Sequence, residues 1–161
     1  QTSQIFFATH SQYVLRSALE NRANTLIVLL KHMGTNVDVK RITAPLVLPT
    51  VTSAELNYIA FDIVSNDYHI QLFGYLQNKI AHNRSLEYCS VKLCDTYITQ
   101  QAYYDGTKHR KPSSYTLRGQ TTFYDTLPTY IRNAIDHPDP TRTFTQQELR
   151  NSIELLITLC R

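Results

Sequence analysis

At 161 residues, with 42% apolar and 18% charged side chains, the chain has the size and composition of an ordinary globular domain, which excludes a low-complexity or disordered polypeptide. A formal net charge of +3 permits contact with nucleic acid without requiring it, so the placement of the cations matters more than their sum. No apolar stretch approaches the roughly 18 residues of a membrane span and no signal peptide is present, which predicts a cytoplasmic protein without membrane association.

The chain opens at Gln1 rather than Met and enters the apolar run Ile5-Phe6-Phe7-Ala8 almost at once, as expected of a piece cut from a longer protein. Ile5 to Thr9 has the pattern of a strand buried on both faces of a sheet. Ser11 is placed to cap a helix over Gln12 to Glu20. Thr25 to Leu30 reads as a second buried strand, and Gly34-Thr35-Asn36 as a turn. Val37, Val39 and Ile42 then alternate like a half-exposed third strand. Pro45 and Pro49 mark a connector, after which the pattern turns helical.

Thr52 or Ser53 caps a helix from Ala54 to about Val64, and Asp67 caps one from Tyr68 to about His82. A third helix is expected over Leu86 to about Tyr103. Asp105 to Gln120 is polar and basic and reads as a loop. A fourth helix is expected from about Phe123 to Asp136, irregular at Pro128 and stopped by His137-Pro138-Asp139-Pro140. Thr145 with Glu148 forms a capping box for a last helix ending near Cys160. The predicted fold class is α+β: a small N-terminal sheet (residues 1–45) followed by a bundle of about five helices (residues 50–161).

Cys89, Cys94 and Cys160 are odd in number and lack metal or redox spacing, so reduced thiols are expected and no metal site is predicted. Capping accounts for Thr52, Ser53 and Asp67. Glu55, Asn57, Asp67 and His69 are read first as structural, with a contact surface as the alternative. The cations Lys108, His109, Arg110, Lys111 and Arg118, beside Tyr103, Tyr104 and Tyr115, form a candidate nucleic-acid surface.

Two constellations carry chemistry. His10 follows directly on an apolar strand, at the sheet edge where α/β proteins bind ligands, although such a His is more often a cap or loop residue. The segment Ile5-Phe6-Phe7-Ala8-Thr9-His10-Ser11-Gln12-Tyr13-Val14-Leu15 resembles the switch-histidine segment of ABC- and SMC-type ATPases. That resemblance makes residues 1–45 the C-terminal edge of such a domain and His10 a γ-phosphate sensor, with ATP and Mg²⁺ as cofactors of the missing part. The chain holds no P-loop and no Walker B pair, so no ATPase activity and no cofactor are expected of it alone.

The second constellation is Arg132-Asn133-Ala134-Ile135-Asp136-His137. Five residues on a helix separate Arg132 and His137 by about 140° around the axis, so they converge only if the ring swings back at the helix end or if two copies meet. Arg and His suffice for metal-free RNA cleavage, the His moving the 2′-OH or 5′-oxygen proton and the Arg stabilising the phosphate, with Asn133 orienting either. A capped helix end with a surface Arg is the alternative.

Leu127 to Pro138, followed by Glu148 to Leu156, looks like the end of a HEPN-type helical domain, whose motif is Arg, a polar residue, then His at R-x4–6-H spacing. The resemblance implies a metal-independent endoribonuclease formed at a dimer interface, with Arg132, Asn133 and His137 as its catalytic residues. Together the two resemblances point to the C-terminal part of a prokaryotic anti-phage defence ATPase of the RloC, PrrC and PtuA kind. Expected partners are the remainder of the ATPase domain, a second copy, RNA, and a separate nuclease effector, since no HNH motif is present. The competing expectation is a non-catalytic docking module for that effector or for a second ATPase subunit. It is favoured by the lack of an acidic residue three or four positions before Arg132. An ATPase parentage predicts a Walker A motif upstream of Gln1, which sequencing of the full gene checks directly.

Overall fold

The computed structural model describes residues 7–20, 27–33, 36–42 and 46–161. Its class is α+β, with seven helices and two antiparallel hairpins among the described residues. The chain divides into two compact units, Gln1–Ile63 and Val64–Arg161.

In the first unit, α1 (Gln12–Glu20) begins where Ser11 predicts, with the Leu15 N–H donating to the Ser11 carbonyl at 3.1 Å. Strands β1 (Ile27–Met33) and β2 (Asn36–Ile42) pair antiparallel with Leu30 opposite Val39. The expected strand at residues 5–9 falls partly outside the described residues, and residues 7–10 have no regular structure. The expected burial of β1 is also corrected. Val28 and Leu30 are exposed and share a face with exposed Val37 and Val39, a face of the two-stranded hairpin that no layer covers among the described residues.

Helix α2 (Ser53–Phe61) starts from Thr52, whose hydroxyl accepts from the Glu55 N–H. It stops short of Val64 because Asp62 turns left-handed at φ 58° and its N–H returns to the Tyr58 carbonyl. Leu15, Leu19 and Leu56 form the core here, so α2 packs in the first unit with α1. Glu55 is structural. Its buried carboxylate accepts from the N–H groups of Val47 and Leu48 at 2.8 and 3.1 Å and pins the connector.

The second unit is built on α3 (Asn66–Asn83) and α7 (Gln146–Cys160), its most extensive helix pair. Tyr68, Leu72, Leu76 and Ile80 recur every fourth residue on α3 and face Leu149, Ile153, Leu156 and Cys160 of α7. Ser65, not Asp67, caps α3, while the Thr145–Glu148 capping box is present as expected. The expected third helix shrinks to α4 (Val91–Thr99), capped by Ser90; residues 86–90 have no regular structure. All three cysteines are free and buried. Burial raises the Cys94 thiol well above its ordinary value and that of Cys160 to about 12, so neither is a reactive thiolate.

The largest correction concerns residues 105–126. A single helical turn, α5 (Gly106–His109), leads into β3 (Arg110–Leu117), which pairs with β4 (Gln120–Thr126). Arg118 and Gly119 make the two-residue turn with φ 49° and 78°, the left-handed pair that matches strand twist in a hairpin. Consequently the expected fourth helix loses its first turn to β4, and α6 (Leu127–Asp136) starts at the junction, with Pro128 in its first turn.

Asp95 on α4 fastens that junction. Only 1% exposed, its carboxylate accepts from the Thr126 N–H at 3.0 Å, the Thr126 hydroxyl at 2.8 Å and the Asp125 N–H at 3.1 Å. Lys92 lies 3.4 Å away. The Thr126 hydroxyl in turn accepts from the Thr129 N–H and caps α6. Asp95→Ala strands these donors in the interior and is expected to lower stability by about 3 kcal/mol. Urea unfolding measures this; a loss below about 1 kcal/mol, within the range of an ordinary surface substitution, contradicts the assigned role.

Candidate functional site

The inner face of β3 runs beside α6 in the same direction. Lys111 meets Tyr130 near the start of the helix, its ammonium 4.4 Å from the ring centre, and Tyr115 meets His137 at its end. Four strand residues cover about 13 Å and seven helix residues about 10 Å, so the two rows stay in step. His137 is exposed and terminates α6, with its N–H on the Asn133 carbonyl at 3.0 Å and its ring stacked on Tyr115 at 4.8 Å. Arg142 approaches the same tyrosine, 5.5 Å from the ring centre, and donates to the Ser114 carbonyl. A His, a Tyr and an Arg thus gather at one end of α6.

Arg132 is half-buried and fixed at both ends of its guanidinium. Nη1 donates to Asn133 Oδ1 at 3.0 Å, and Nη2 pairs with Asp136 Oδ2 at 2.7 Å. Since Oδ1 receives the guanidinium, Nδ2 is the donor end of the Asn133 amide. That nitrogen is buried and has no hydrogen-bond partner among the described residues. An amide donor left unsatisfied costs about 1–3 kcal/mol. Arg132, Asn133 and His137 therefore share one helix end, but Arg132 is directed to Asn133 and Asp136 while His137 lies on Tyr115.

The cations of the former loop separate. Lys108, Arg110 and Arg118 are exposed, Arg118 at the hairpin tip. Lys111 bridges Glu148 and the Thr143 carbonyl. Burial pushes the Glu148 carboxyl up, but Lys111 and the Thr145 N–H outweigh it and hold it below its ordinary value. His109 is half-buried, and its Nδ1 accepts from the Asp105 N–H at 3.0 Å. His10, in the first unit, is exposed.

Two participants escaped the sequence reading. Arg142 and Asp95 carried no motif. His69, read first as structural, is fully buried, with Nε2 2.8 Å from Ser152 Oγ and Nδ1 without a partner among the described residues. Among the described residues no group of acidic, His or Cys side chains could hold a metal, and no helix is long and apolar enough to cross a membrane. No protein-family model, curated protein or solved structure matches the chain.

Burial lowers the His69 imidazole from its ordinary value near 6.5 to about 3. Between these values the unfolded chain binds a proton that the folded chain refuses, so stability falls as the pH drops below about 6.5. The expected contribution is roughly 1 kcal/mol per pH unit, reaching its full size near pH 3. His69→Leu should be less stable than the parent at pH 7 yet show a flatter loss on acidification. Parallel urea midpoints for the two chains between pH 7 and 5 count against a buried neutral ring.

Proposed function

We propose that the chain is the C-terminal portion of a prokaryotic anti-phage defence ATPase, and that its second unit is a HEPN-like module that binds RNA and cleaves it without a metal. Arg132, Asn133 and His137 carry the chemistry, and two copies complete the site. The observation that supports this most is the Asn133 amide: a buried donor without a partner, oriented by Arg132, on the turn that ends at His137. A phosphate oxygen satisfies such a donor and draws on the adjacent guanidinium. The Tyr115–Arg142 pair beside it and the exposed cations Lys108, Arg110 and Arg118 supply stacking and charge for a single strand.

In this reading His137 takes the proton of the ribose 2′-OH, the 2′-oxygen attacks phosphorus, and the 5′-oxygen leaves with a proton from the second copy's imidazole. The products are a 2′,3′-cyclic phosphate and a 5′-hydroxyl. Arg132 and Asn133 stabilise the phosphorane charge. In this reading ATP and Mg²⁺ would be held by the remainder of the ATPase domain, and His10 of this chain would read the γ-phosphate.

The Arg132–Asp136 ion pair favours a second reading, because a guanidinium already neutralised within its own helix suits a structural or interfacial role. There the unit docks a nuclease effector or a second ATPase subunit and cuts nothing itself.

The purified chain, incubated with tRNA in EDTA, separates the two. Arg132→Ala and His137→Ala are expected to reduce cleavage at least about 100-fold with unchanged melting temperature, and Asn133→Asp to do the same by placing a carboxylate against phosphate. Undiminished cleavage in the Arg132 or His137 variant sinks the catalytic reading. No cleavage by the parent chain, with a weakened effector pull-down in the variants, selects the docking reading.

A further inference from the structure

An open cavity of about 600 Å³ lies between α5 and α7, within the range that holds a nucleotide. Helix α7 contributes one stripe to it, including Asn151 and Glu154, and the segment before β3 contributes Tyr103, Asp105, Lys108 and His109. Its charge is not that of a phosphate pocket: two carboxylates outnumber one lysine. Asp105 is committed to its own turn, where Oδ1 accepts from the Thr107 N–H and hydroxyl. The Glu154 side chain makes no hydrogen bond among the described residues and is exposed.

His109 presents a defined donor. The Asp105 N–H occupies Nδ1, so the neutral ring carries its proton on Nε2. Burial holds the imidazole below its ordinary value and favours that neutral form, while the Glu154 charge acts on the ring from across the cavity. The wall therefore pairs a carboxylate, which accepts two hydrogen bonds, with a neutral N–H donor. Tyr103 adds an aromatic face that is 67% exposed.

We infer that this cavity is a guanine-binding site: the base donates N1–H and N2–H to the Glu154 carboxylate, accepts at O6 from His109 Nε2–H, and stacks on Tyr103, while Lys108 meets the attached phosphate. Adenine and cytosine offer the carboxylate one amino group beside an acceptor, and uracil one ring N–H, so each leaves a carboxylate oxygen without a base donor. The site rests on the proposed RNA reading, which it extends to a preferred base. Lys108 to Lys111 join the cavity to the hairpin, along which a strand holding a guanine here would continue.

The test titrates the full chain with GMP, AMP, CMP and UMP, following the His109 ring protons by NMR, and then with short single-stranded RNAs that differ by one guanine. GMP is expected to bind more tightly than the other three. Glu154→Gln should weaken GMP about tenfold, the worth of one bidentate base contact, while leaving AMP unchanged. Tyr103→Ala should weaken all four. Both side chains are exposed, and an unchanged melting temperature checks the fold. Binding of GMP but not of guanine in RNA makes a free nucleotide the ligand; binding of both makes it RNA; either supports the site. Equal affinity for the four nucleotides, a GMP affinity indifferent to Glu154→Gln, or no GMP binding overturns it. Arg132→Ala and His137→Ala should bind GMP normally. A chain that binds guanine through Glu154 yet never cuts RNA refutes the nuclease and keeps the pocket; one that cuts RNA without base preference does the reverse.

Discussion

The second unit depends on one buried carboxylate. Asp95 carries a charge in the interior, and it is tolerable because two backbone N–H groups and a hydroxyl from the β4–α6 junction converge on it. The same bonds leave Thr126 placed to cap α6. A helix of ten residues is about 15 Å long, so tilting its start by 10° moves its far end by roughly 2–3 Å. That far end carries Arg132, Asn133 and His137. Shifts of that size decide whether groups act together on one phosphate, so the geometry of the site descends from Asp95 although Asp95 lies away from it.

Beside its exposed cations, this unit also holds paired charges. Arg132 leans on Asp136, Lys111 on Glu148, and Lys79 on the Cys160 carbonyl at the end of α7, where a cation suits the helix dipole. Half-buried pairs of this kind, still open to solvent screening, add modest stability, but they hold long side chains in one place. Positioning matters more than net charge here, which is why the mild total of +3 does not argue against a nucleic-acid surface. The tyrosines serve the same end: Tyr115 contacts both His137 and Arg142, and Tyr130 holds Lys111 while its hydroxyl donates to the Thr143 carbonyl.

The two polar groups left unsatisfied in the second unit's helices differ in meaning. His69 Nδ1 sits deep in the core, where burial favours a neutral ring with one good partner. Asn133 Nδ2 lies on the turn that ends at an exposed histidine, next to a guanidinium. The local chemistry, more than the missing bond itself, sets Asn133 apart as a site residue.

The sequence by itself determined what local rules control. Thr145 with Glu148 announced the start of α7, Pro138 the end of α6, Ser11 the start of α1, and the four-residue apolar spacing of α3 its buried face. Each is a property of a few neighbouring residues. The β3–β4 hairpin was partly legible, since Arg118-Gly119 between Thr-, Tyr- and Phe-rich runs is a turn signal, but the cluster of cations hid it behind the look of a loop. Only the tertiary structure decided the rest. Asp95 looks like any helix acid until Thr126 arrives from 31 positions away, and His69 reads as structural without a partner until Ser152 meets it across 83. Tyr115 and Arg142 join His137 only because the hairpin lies along α6. A side chain's burial and its partner are set by segments distant in the chain, and no local pattern encodes them.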